Sequence, residues 1–98
     1  MISLKVHETY RKVVAICDVE LIGKKFEEGE RQLDIRKNFF EGDSLSVSEA
    51  VAQIQKLISD DATFNIVGKH SISAAVKAEL IGRENIGTIG GIEFALIL

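Results

Sequence analysis

The hydrophobic period of this chain changes near its middle, and that change limits the folds open to it. Over the first forty residues apolar side chains recur at every second position, whereas from Ser46 onward they recur at every third or fourth. Ile2, Leu4 and Val6 alternate with Ser3, Lys5 and His7, the pattern of a strand with one wet face. The run KVVAICDV is apolar on both faces and reads as a central strand, while RQLDIR alternates again with Leu33 and Ile35 inward. These segments predict an antiparallel β-meander, which no proline interrupts.

The second half predicts helix, strand, helix, strand. Val47, Ala50, Val51, Ile54, Leu57 and Ile58 make one apolar helical stripe over 46–58, and Ser46 with Glu49 has the spacing of a capping box. ATFNIV reads as a short buried strand. A second stripe of Ile72, Ala75, Val76 and Leu80 predicts a helix over 71–81, closed by Gly82 as a left-handed cap. IGTIGGIEFALIL then forms a glycine turn and an apolar strand. The predicted class is α+β, a single domain over 1–98 with its helices on one side of a mainly antiparallel sheet. A strand–helix–strand crossover over 62–97 would add a parallel pair.

Composition narrows the function. Ninety-eight residues suit one core. No apolar run approaches the ~20 residues that cross a bilayer, and MISLKVHETY lacks a signal-peptide pattern, so a cytoplasmic location and no membrane partner are expected. One cysteine excludes an internal disulfide and fits a reducing compartment. The net charge of −3 argues against a strongly electrostatic nucleic-acid binder. Residues 1–37 carry +1 and the remainder −4, so a basic patch could come only from the first third, from Lys12, Lys24, Lys25, Arg31, Arg36 and Lys37. Mixed runs such as KKFEEGER favour a solvated β-surface instead.

Two corners could carry chemistry. In CDVELIGKKFEEG, strand parity places Cys17 with Val13 and Ala15, as a small core hydrophobe. A catalytic thiol would need a lowered pKa and a base, and metal-ligand spacing such as CxxC or HxxxH is missing. Asp18 can cap the single turn VELI, ended by Gly23 at positive φ, which leaves Glu20 and Lys24 as exposed polar candidates. In NIVGKHSIS a strand runs through Gly68 into a helix start bearing Lys69, His70 and Ser71, where free amides favour an anion. Asn65 is unusual in an apolar strand. The GTIGG turn lacks the strand-to-helix setting of a dinucleotide site and reads as backbone geometry.

CDVELIGKKFEEG, FFEGD at 39–43, NIVG at 65–68 and the terminal IGGI together resemble the archaeal domain-of-unknown-function family 424, in order and over nearly the whole chain. The resemblance implies a small, stand-alone intracellular protein and brings no assigned activity. It would place Cys17, Asp18, Glu20, Leu21, Gly23 and Lys24 in a first motif and Asn65 and Gly68 in a second. Where the family pattern continues with proline and histidine, Glu93 and Phe94 stand here, against a role for a C-terminal histidine.

Three readings follow. The favoured one is a non-enzymatic binding or adaptor module with a protein or RNA partner, of the kind that serves translation, and with no cofactor. The second is an enzyme or anion-binding protein using Cys17, or Asp18 with Glu20, around an anion at Gly68–Lys69. Here Lys24, Lys69 and His70 would converge, with Asp18 and Glu20 orienting the lysines. The third is a subunit that self-associates through GIEFALIL as a homodimer rather than remaining a monomer.

Overall fold

A computed structural model describes all 98 residues. The strands are β1 (Ile2–His7), β2 (Val13–Asp18), β3 (Lys25–Glu28), β4 (Arg31–Asp34), β5 (Asp43–Leu45), β6 (Thr63–Val67), β7 (Gly87–Ile89) and β8 (Ile92–Ile97). The helices are α1 (Lys37–Phe40), α2 (Val47–Ser59) and α3 (Lys69–Lys77). Six strands form one sheet in the order β5-β1-β2-β6-β8-β7, and β3 and β4 pair as a separate hairpin. The class is α+β, with the antiparallel succession of the first forty residues present as β1–β2 and then β3–β4.

Two faces of the sheet are covered, by different means. On one, α2 and α3 pack Ala50, Ile54, Leu57, Ile72, Ala74 and Ala75 against Leu4, Val14, Ile16, Phe64 and Ile66. On the other, the β3–β4 hairpin and α1 bring Leu33, Ile35 and Phe40 over Ala15, Cys17 and Val67. β2 is thus apolar on both faces because both faces are roofed. The four-residue α1 is too short to satisfy its own carbonyls, and β1 satisfies them from its polar face. Ser3 donates to the Phe40 carbonyl at 2.9 Å, and Lys5 Nζ to that of Asn38 at 2.7 Å. His7 Nε2 lies 2.8 Å from the Phe39 carbonyl, and its ring stacks on that of Phe39.

Two details differ from the sequence reading. The parallel pair is β2 with β6, joined by the crossover that contains α2, while β6 and β8 run antiparallel. The chain inserts β7 at the sheet edge after α3, so β8 returns in the opposite sense. Its two-residue turn requires Gly90 and Gly91 at φ 58° and 80°, the signature of a tight hairpin. The second helix spans Lys69–Lys77 rather than 71–81. Its left-handed exit is Glu79 at φ 63°, not Gly82, whose φ is −117°. Ala74 faces inward and Val76 outward, so the buried stripe runs through Ser71, Ile72, Ala74, Ala75 and Ala78 rather than through Val76.

The expected cap of α2 is present: Ser46 Oγ accepts from the Glu49 amide at 3.2 Å, and Glu49 accepts from the Ser46 amide at 2.8 Å. Ser46→Ala should destabilise the fold by about 1 kcal/mol in urea titrations at neutral pH. The Ser46 hydrogen bonds, the backbone one foremost, hold the Glu49 carboxyl below its ordinary pKa. Its contribution is therefore present above the unfolded-state pKa of about 4.3 and lost as pH falls through the lower folded value. The stability difference between wild type and Glu49→Ala should shrink as solutions are acidified through that window.

Candidate functional site

β2 and β6 are parallel neighbours, so their carboxyl ends lie together at one end of the sheet. β2 ends in Asp18, and β6 runs through Gly68 into α3. Asp18 does not cap the turn that follows it: the single 3₁₀ turn Val19–Leu21 receives no side-chain bond. Its carboxylate reaches across to α3 instead. Oδ1 accepts from the Ser71 amide at 2.8 Å and the Ser71 hydroxyl at 2.7 Å, and Oδ2 from the His70 amide at 3.1 Å. Asp18 is only 2% exposed and meets three donors, two of them otherwise orphaned helix-start amides. Cap and helix are 52 and 53 residues apart, beyond the reach of local sequence signals.

Gly68 makes this approach possible. Its φ is +104°, and a Cβ built there would fall 2.4 Å from the Asp18 Cγ. Both the conformation and the space require glycine. The Gly68 amide donates to the Glu93 carbonyl at 2.9 Å, which ties the α3 start to β8 as well.

These connections frame an open cleft of about 570 Å³, lined by Asp18, Glu20, Leu21, Gly68 and Lys69 with Thr88, Gly91, Ile92 and Glu93 of the β7–β8 hairpin. The two sequence corners therefore meet on one face. Of the candidate residues, Asp18, Glu20, Gly68 and Lys69 line the cleft, and His70 stands at its margin. Ligand-type atoms of Asp18, Glu20 and His70 all lie within 4.8 Å of one another. Lys24 is not in the lining, and Asn65 is on the far face of the sheet, in a small apolar groove with Phe39, Phe40 and Leu96. Sequence reasoning missed Thr88, Ile92 and Glu93, which the topology brings beside α3 from the end of the chain.

Two of the amides on which the anion reading relies, those of His70 and Ser71, already hold a carboxylate of the same chain. Among the carboxylates and cations of the lining none is ion-paired: the four pairs of the chain are Arg11–Asp61, Lys12–Asp60, Arg36–Asp34 and Lys37–Glu41. Asp18 and Glu20 hence do not orient lysines, and three carboxylates face one ammonium. The nucleophile reading fails on burial: Cys17 is 0% exposed, and burial foremost, then the charges of Asp18 and Glu20, push its thiol up to about 12. Of the cations of the first third, Lys12, Arg36 and Lys37 are engaged in ion pairs, whereas Lys24, Lys25 and Arg31 are not.

A family model described as "Protein of unknown function (DUF424)" matches residues 6–98. The chain belongs to that family. A solved structure with the same fold is the crystal structure of an uncharacterized conserved protein from Methanopyrus kandleri, at a TM-score of 0.89 and 26% identity, covering 98% of this chain and 89% of that one. No functionally curated protein matches. No helix of this DUF424 member is long and apolar enough to cross a membrane.

Asp18→Ala would orphan the His70 and Ser71 amides, and should cost about 3 kcal/mol in chemical denaturation. Gly68→Ala, which drives a methyl into that carboxylate, should cost a comparable amount. For Cys17, a bulky thiol reagent should label the folded protein no faster than the protein unfolds, even at pH 9.

Proposed function

We propose that this protein is a non-enzymatic binding module whose recognition site is the cleft at the carboxyl ends of β2 and β6. The observation that carries the reading is the lining itself: unpaired Glu20, Glu93 and Lys69 beside apolar Leu21 and Ile92, around a volume typical of ligand pockets. Binding is favoured over catalysis because the two groups that chemistry would use are already committed. The Cys17 thiol is buried and protonated, and the Asp18 carboxylate is engaged with α3. Support for an RNA or translation adaptor is confined to the β3–β4 hairpin, where Lys24, Lys25 and Arg31 interleave with Glu27, Glu28 and Glu30. A surface of that mixed sign gives little of the phosphate attraction that drives RNA binding.

The test is differential capture. The tagged chain would be expressed in its native cell and its bound molecules compared with those of two variants. Thr88→Trp fills the cleft from an exposed position on β7, and Lys25→Glu with Arg31→Glu reverses the hairpin. Loss of a specific partner in the first variant and retention in the second is the expected result. Capture that survives Thr88→Trp but disappears with the hairpin variant or after ribonuclease would move recognition to the hairpin and to RNA.

A further inference from the structure

Resting on the reading of the cleft as the recognition site, we propose that its ligand presents an organic cation, an alkylammonium or guanidinium group on an apolar stem, received by Glu20 and Glu93. Three features of the cleft lead there. The helix-start amides at His70 and Ser71 already bond Asp18, so the attraction of α3 for anions is satisfied internally. Glu20 and Glu93 reach the cleft from opposite sides, from the turn after β2 and from β8, and neither has a cationic partner in the fold. Leu21 and Ile92 also line the cleft, and apolar wall of that kind suits methylene groups and would be idle against a hydrated ion.

Asp18 stands behind the site. With three hydrogen bonds already accepted, it adds negative potential more than a contact. This weighs against its serving with Glu20 and His70 as a metal triad, despite their mutual distances within 4.8 Å. Lys69 is the one opposing charge in the lining, and it fixes the sign of the test. Removing it should strengthen the binding of a cation, whereas at an anion site it would weaken binding.

The probes are pentylammonium, butylguanidinium, inorganic phosphate and zinc, titrated into the intact ¹⁵N-labelled protein and followed by amide shifts. Pentylammonium or butylguanidinium should move the amides of Glu20, Leu21, Ile92 and Glu93. The double variant Glu20→Gln with Glu93→Gln should bind about tenfold more weakly, and Lys69→Gln roughly threefold more tightly. Both variants alter exposed or half-buried positions, and thermal melts would confirm that they fold. Phosphate moving the same amides, with Lys69→Gln abolishing the effect, would overturn the proposal. So would zinc binding that His70→Ala removes in a protein indifferent to both organic cations. Partner capture that depends on the cleft, together with indifference to both organic probes, would refute the ligand class while leaving the cleft as the recognition site.

Discussion

The bond between one carboxylate and the start of one helix organises this molecule. Asp18 ends the central strand β2 and caps α3, so the sheet and its helical cover are locked at a buried polar point rather than by apolar contact alone. Apolar packing tolerates sliding; three hydrogen bonds to one buried carboxylate do not. The same bond fixes the approach of Gly68, and through the Gly68–Glu93 bond it sets where β8 and its hairpin stand. The cleft exists because these pieces are held at a common vertex.

That vertex also decides the chemistry. A helix start facing a crevice at the ends of parallel strands is ordinarily a place for phosphate or another anion. Here the protein supplies the anion itself, from a buried position where it will not be displaced cheaply. What remains facing solvent is a set of carboxylates in excess over a single lysine. Cys17, one residue earlier, shares the consequence: neighbouring negative charge and burial both disfavour a thiolate.

Local features of the fold were legible in the sequence because their causes are local. The α2 stripe and its Ser46–Glu49 box, the inward Ile35, the buried Cys17 and the positive φ of Gly23 all follow from periodicity or turn chemistry within a few residues. The partner of Asp18 was not legible. An aspartate before VEL offers a plausible local cap, and nothing in the sequence states that the competing donors are more than fifty residues away. The sequence offered a helix start after Gly68 but not its cap: Gly68 lacks a capping side chain, and the carboxylate that replaces it arrives from another strand. Of the candidate site, Glu20, Gly68 and Lys69 could be read from their turns. Glu93 and Thr88 could not, because their place in the cleft depends on β8 returning beside β6.

The most direct test of this account is amide hydrogen exchange at the beginning of α3. The second residue of a helix ordinarily has a free amide and exchanges rapidly. Ser48 holds that place in α2 and His70 in α3, so one molecule contains both the reference and the test. The account predicts that the His70 and Ser71 amides are protected roughly tenfold or more beyond Ser48, and that Asp18→Asn reduces this protection far more than it reduces that of β1. Exchange of His70 and Ser71 as fast as Ser48 in the wild-type protein would show that the carboxylate does not hold the helix. The cleft built on that bond would then lose its foundation.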